Sequence, residues 1–319
     1  MCTTIGFAYN QGQVFGRTLE LALTLDNKIL YIPQGKKLIE SLEKDFPSKY
    51  NTLGTGFFEI ESFGDGINEH GLMGSTNYFQ GYATFADKAV DGKINTDMAN
   101  AFDYLLTSCK DIAEVKAAAS QMNILADFKG NPALANHFFF MDAKGETLVL
   151  EPKKGELVTY DNPYGVLTNS PEFPWHRENL KNYIHLKAEN TNTSFINGEE
   201  IRQFGEGTGM LGLPGDFTPP SRFVRAAYFV STTDKELNRI PAILQGFRIL
   251  SQFDIPVGSV VDPNENRADK TLYSSIMDTQ TLSYHIKTHN NINLQSFSLA
   301  DFKDEREIRF IELEKEMYL

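Results

Sequence analysis

The sequence predicts a layered α+β protein. Three observations point there. Blocks of strand-like residues alternate with blocks of helix-like ones, where a simple βαβ repeat would alternate single elements. No internal repeat, low-complexity tract or linker interrupts the 319 residues, which favours one domain over 1–319. Hydrophobic residues make up 41% and charged ones 23%, enough apolar side chains for one large core or two smaller ones.

The chain opens in hairpins. Residues 3–9 are a short apolar run, Asn10-Gln11-Gly12 is a turn, and strand-like residues resume over 14–25 and 28–32. Segments 57–63 and 71–78 read as strands around a turn-rich Gly64-Asp65-Gly66. The period then changes. Ala99, Phe102, Leu105 and Leu106, followed by Ile112, Val115 and Ala118, suit two successive helices between 96 and 122. Residues 138–141, 147–150 and 157–160 read as a meander with Ala143-Lys144-Gly145 as one turn, and 166–168 as a further short strand. A helix is predicted over 175–186, a Gly/Pro-rich loop over 205–220, and helices over 221–230 and 235–252. Two closing strands, 272–277 and 281–287, pair across Asp278-Thr279-Gln280.

Composition excludes several function classes. A net charge of -12 and a pI near 5.0 argue against a phosphate-binding surface and so against nucleic acid as a partner. No apolar run approaches a membrane span, and residues 1–12 lack the basic start and apolar stretch of a signal peptide, so the expected compartment is the cytoplasm. Cys2 and Cys109 are too few for a disulfide framework and have no metal-ligand spacing; Cys2 is expected to act as a thiol and Cys109 to sit in the core.

Removal of Met1, which processing enzymes carry out when the next residue is small, would put a thiol and a free α-amine on Cys2. An ordinary α-amine titrates at ~7.7–8.0 and a thiol at ~8.5, so one can act as base for the other near neutral pH without a histidine. A nearby cation would favour the thiolate further. Position alone favours a small buried residue at a strand start, so the rest of the chain decides.

FGRTLEL (15–21) follows Cys2 as its hairpin partner, and NEHGLMGSTNYF (68–79), VLTNSPEFPWH (166–176) and GTGMLGLPGDFTPPSRF (207–223) come later. In this order, over essentially the whole chain, these segments resemble the choloylglycine hydrolase family of bile salt hydrolases and penicillin V acylases. The resemblance implies the N-terminal nucleophile fold, a four-layer αββα sandwich of two antiparallel sheets between helical layers, without a cofactor. It implies Cys2 as nucleophile, with Arg17 lowering the thiol pKa and orienting the sulfur. Glu20 stands where the family has aspartate, and is expected to hold the Cys2 α-amine by a charge-assisted hydrogen bond. Asn169 falls on the TN-x-P motif, where its amide would donate to the oxyanion. Arg222 would pair with Glu20.

At the position of Tyr78, bile salt hydrolases carry asparagine and penicillin V acylases tyrosine; Asn77 lies one residue earlier. The backbone N–H there is the expected second oxyanion donor, and a tyrosine ring would offer a face to a phenoxyacetyl group. The resemblance therefore ranks penicillin V as substrate ahead of glycine- or taurine-conjugated bile salts. Other acyl amides, acyl homoserine lactones among them, come after, and a silent relative that binds acyl ligands without cleaving them is the reading from another class. A homotetramer is implied as well, with the insertion around 187–202 taking part.

Other signals carry less. Gly207 to Gly212 matches the pattern G-x-G-x-x-G, but no clear strand precedes it and Pro214, Pro219 and Pro220 keep a helix from opening there. His285 and His289 are four apart yet near a strand and turn, so no metal site is expected. The sequon at Asn192 means little in a cytoplasmic chain. Phe138-Phe139-Phe140 reads as a buried strand.

Overall fold

The computed structural model describes residues 1–23, 25–58, 60–263 and 266–317. Two antiparallel sheets stack face to face. The first strand, β1 (Cys2–Tyr9), turns back at Asn10-Gln11 into β2 (Gly12–Leu21), with Cys2 opposite Leu19 and Thr4 opposite Arg17. These two lie inside a six-stranded sheet ordered Val166–Leu167, β1, β2, Lys270–Asp278, Ser283–Thr288, Gln295–Ser298. The eight-stranded sheet runs Glu156–Asp161, Thr147–Lys153, Asn136–Met141, Met73–Tyr78, Phe63–Asn68, Thr52–Phe57, β3 (Asn27–Ile32) and Arg309–Glu312.

Helices cover both outer faces, completing four layers αββα. Helix α1 (Met98–Ser108) starts at Asp97, whose side chain accepts from the Asn100 N–H, and α2 (Ile112–Ala119) starts at Asp111, which accepts from Glu114. Both lie over the eight-stranded sheet. The short helix α3 (Phe173–Asn179) follows the motif that carries Asn169. On the six-stranded side lie α4 (Pro219–Ser231), entered through two prolines that fix φ for a first turn, and α5 (Arg239–Leu250).

The Phe138-Phe139-Phe140 run shows how one strand serves both cores. Successive side chains of a strand point to opposite faces. Phe139 therefore packs between the sheets with its ring 5.1 Å from that of Phe15, while Phe138 lies under α1, 5.2 Å from Phe102.

Several boundaries differ from expectation. The strand expected over 57–63 is replaced by two: Thr52–Phe57 ends at Phe57 and Phe63–Asn68 begins at Phe63, and the two pair as neighbours. Gly64-Asp65-Gly66 is accordingly no turn but the middle of a buried strand. Its glycines make room, since a Cβ at Gly66 would come within 2.8 Å of the Leu53 carbonyl. The helix expected over 175–186 starts two residues earlier and ends at Asn179 in a 3-10 turn, Leu180–Tyr183. The strand expected to reach 25 ends at Leu21. The insertion forms an exposed hairpin, Ser194–Ile196 with Glu199–Ile201. Among the described residues no helix is long and apolar enough to cross a membrane.

Candidate active site

Alternation along β1 gives its first residues two different audiences. Cys2 and Thr4 face the eight-stranded sheet, where the Thr4 hydroxyl lies 3.0 Å from that of Ser75; Thr3 faces α4 and accepts from Arg222 at 2.8 Å. Since β2 pairs Thr4 with Arg17, the Arg17 side chain enters the same space as Cys2. Its Nη2 donates to Cys2 Sγ at 2.8 Å, Nη1 to the Gly64 carbonyl at 3.1 Å, and Nε to the Thr18 carbonyl at 3.3 Å. Burial works against the guanidinium's charge, but the sulfur, Tyr273 and Asp65 outweigh it and hold Arg17 above its usual pKa. The sulfur thus faces a cation fixed by its own hydrogen bonds.

Asn169 and Arg222 meet on the other side of Cys2. Arg222 reaches out of α4 and donates to the Asn169 Oδ1 at 2.7 Å, to Thr3, to the Phe217 carbonyl at 2.9 Å and to the Cys2 carbonyl. Asn169 Oδ1 accepts a second bond, from the Cys2 N–H at 2.9 Å. Two donors on one oxygen fix the amide's orientation, so Nδ2 points away from them and donates to the Tyr78 carbonyl at 2.8 Å. The segment is gripped from below by two buried histidines: His137 lies 3.2 Å from the Thr168 carbonyl and His176 3.0 Å from that of Asn169. Burial drives the His176 pKa down to about 4, so its ring is neutral and its Nε2–H donates.

Glu20 does not form the expected ion pair with Arg222. Its backbone pairs with Met1, but both carboxylate oxygens are buried without a hydrogen-bond partner, and no ion pair closes between Glu20 and Arg222 among the described residues. Arg222 spends its fork on Cys2, Thr3, Asn169 and Phe217 instead. Burial pushes the Glu20 carboxyl up, while the N-terminal ammonium and Arg222 pull it down. In this structure Met1 precedes Cys2, so the Cys2 nitrogen is a peptide N–H and not an amine.

Tyr78 and Asn77 separate by the same alternation. Asn77 is buried, accepting from Thr4 at 3.0 Å and donating to the Thr168 carbonyl at 2.8 Å, so its amide ties the two sheets together and does not face the cavity. Tyr78 is 46% exposed and lines the mouth. That cavity, about 230 Å³, lies over Cys2 with Leu19, Leu21, Leu25 and Phe57 as apolar wall and Arg17, Thr76 and Asn136 as polar wall. Chemistry singles it out more than size does, since a larger space of about 490 Å³ beside Phe7 and Tyr164 contains neither cysteine.

Sequence reasoning missed Asp65, Tyr273, His137 and His176. Asp65 is fully buried behind Arg17, with its Oδ2 3.9 Å from Arg17 Nε. The second cysteine is of another kind. Cys109 caps α1 in the core, and burial pushes its thiol up to about 12. Iodoacetamide at pH 8 is therefore expected to leave Cys109 unmodified in the folded protein, as read by peptide mass spectrometry; stoichiometric labelling there would contradict this burial.

Comparison with known proteins shows the family. A family model described as linear amide C–N hydrolases, choloylglycine hydrolase family, matches residues 2–306. The bile salt hydrolase/transferase of Clostridium perfringens is 31% identical over 305 residues, covering 94% of this chain and 92% of that one. A solved structure of a mutant conjugated bile acid hydrolase from the same organism superposes with a TM-score of 0.91 at 29% identity, covering 100% and 99% of the two chains. The penicillin V acylase of Agrobacterium tumefaciens shares the fold, with a TM-score of 0.77 at 18% identity over 99% of this chain and 92% of its own. Matched by the family model over nearly its whole length, the chain belongs to the choloylglycine hydrolase family and is a hydrolase of carbon–nitrogen bonds in linear amides.

Proposed function

We propose that this enzyme is a bile salt hydrolase that uses Cys2, freed by loss of Met1, to cleave glycine- or taurine-conjugated bile acids. The observation that carries the chemistry is the 2.8 Å contact between Arg17 and the Cys2 sulfur on the floor of an apolar-walled cavity. The substrate class rests on the full-length relative named as a bile salt hydrolase/transferase. This reverses the order inferred from Tyr78, because likeness to the penicillin V acylase at 18% identity speaks for the fold alone.

In this mechanism the free α-amine of Cys2 takes the thiol proton and the sulfur attacks the amide carbonyl. The tetrahedral oxyanion is met by Asn169 Nδ2, which has one hydrogen on the Tyr78 carbonyl and a second to give, and by the Tyr78 backbone N–H. The proton passes to the departing amine. Water then cleaves the thioester, with the α-amine again as base and the bile acid leaving. Glu20, Asn169 and Arg222 keep that amine in place: Asn169 Oδ1 already accepts from the Cys2 nitrogen, and the Glu20 carboxylate is buried with no donor.

The Tyr78 ring at the cavity mouth favours penicillin V as a second substrate. Parallel assays of the purified protein, with loss of Met1 verified by intact mass, test the order. Turnover of glycine- and taurine-conjugated bile salts is expected to exceed that of penicillin V. Strong hydrolysis of penicillin V with none of bile salts would restore the order that Tyr78 implies.

A further inference from the structure

Arg17 has one terminal nitrogen on the sulfur, and the opposite sheet approaches the other side of its guanidinium. Nη1 donates to the Gly64 carbonyl at 3.1 Å, and Nε, which donates to the Thr18 carbonyl at 3.3 Å, lies 3.9 Å from the Asp65 carboxylate, so Gly64 and Asp65 meet Arg17 from consecutive positions of the strand Phe63–Asn68. Asp65 is held in turn by the Tyr273 hydroxyl at 2.6 Å, by Ser275 at 3.4 Å and by the Tyr284 hydroxyl. The groups facing it come from β2 (Arg17) and from Lys270–Asp278 and Ser283–Thr288 of the same sheet, and every one can offer it a proton. Burial outweighs Arg17 and the three hydroxyls and holds the Asp65 carboxyl above its usual range, while those four partners are the contacts that stabilise its charge. The Tyr273 ring also lies beside the guanidinium, 5.9 Å from its carbon.

We propose that Asp65, backed by Tyr273, is the positioning residue of Arg17, fixing the guanidinium so that Nη2 stays on the Cys2 sulfur. Asp65 does not line the cavity and touches no reacting atom; it acts only through Arg17. The proposal rests on Cys2 being the nucleophile.

Asp65→Asn separates positioning from simple electrostatics, because the two move the Cys2 thiol in opposite directions. If Arg17 stays put, removing a negative charge behind it strengthens its field at the sulfur and the thiol becomes more acidic. If Arg17 loses its anchor, the thiolate loses its partner and the thiol becomes less acidic. Arg222, the other cation that acts on Cys2, is left unchanged, as is Glu20, which acts on both arginines. Positioning predicts an alkylation midpoint for Cys2 that moves to higher pH, and a kcat about tenfold lower with KM within about twofold. Tyr273→Phe, which keeps the ring, should move both readouts the same way by less, and it carries the test if Asp65→Asn does not fold. A midpoint that is unchanged or lower, or a kcat within about twofold of the parent, overturns the proposal. Turnover surviving in Cys2→Ala would instead overturn the nucleophile assignment on which it rests.

Discussion

Cys2→Ala is expected to lower amide turnover by roughly 10⁴-fold or more, because the nucleophile and its helpers act as a unit. No other side chain on the cavity wall can take over. Among the described residues that line it, the hydroxyls are the phenol of Tyr78 at the mouth and that of Thr76, whose hydrogen is committed to the Gly64 carbonyl at 3.1 Å. A threonine here also lacks what activates Cys2, since neither Arg17 Nη2 nor an α-amine addresses its oxygen. Stability should fall without loss of the fold. Losing the sulfur leaves Arg17 Nη2 without an acceptor, a cost of about 1–3 kcal/mol, while the other bonds of Arg17, Asn169 and Arg222 to backbone atoms persist. Turnover and thermal melting of the variant, both measured on protein whose intact mass shows no Met1, check the two halves separately. Molecules that retain Met1 should be as inactive as Cys2→Ala, since an amide nitrogen cannot accept the thiol proton. Substantial turnover by Cys2→Ala would remove the mechanism altogether.

The architecture was legible wherever pattern and burial agree. The apolar run after Cys2, the helical period from Ala99 to Ala118 and the closing hairpin all appear in the fold, because the helices bury one face against a core and the strands lie buried between the other sheet and the helices. Asp65 was not legible for a physical reason. A Gly-Asp-Gly triplet has turn composition, and only the packing of Gly66 against the Leu53 carbonyl turns it into a strand with a buried carboxylate. The histidines were hidden differently: His137 and His176 work through backbone carbonyls of 168 and 169, and no local pattern announces such a bond. Geometry redistributes even the partners that the resemblance implies. The resemblance pairs Arg222 with Glu20, yet the planar fork of Arg222 finds more acceptors in Asn169, Thr3 and two carbonyls. Residue identity carried the charges, while the direction in which each strand presents them came only with register.

Arg17→Met is expected to cost both activity and stability, by separable routes. The activity loss follows from removing the cation hydrogen-bonded to the sulfur, so kcat should fall with the alkylation midpoint of Cys2 moving upward. The stability loss follows from Asp65. Breaking a buried charge pair by deleting one member typically costs about 3–5 kcal/mol, because the other charge stays buried without compensation. Here the hydroxyls of Tyr273, Tyr284 and Ser275 still face the carboxylate, which argues for the lower end of that range. Adding Asp65→Asn to Arg17→Met removes the stranded charge and keeps an acceptor for Tyr273, so the double variant should recover much of the lost stability in urea denaturation. It should recover none of the turnover, since the sulfur still lacks its cation. The cycle of both single variants and the double variant isolates the coupling between the two groups. Equal destabilisation by Arg17→Met with and without Asp65→Asn would mean that the pair is not coupled at 3.9 Å, and that Arg17 is held by the carbonyls of Gly64 and Thr18 alone.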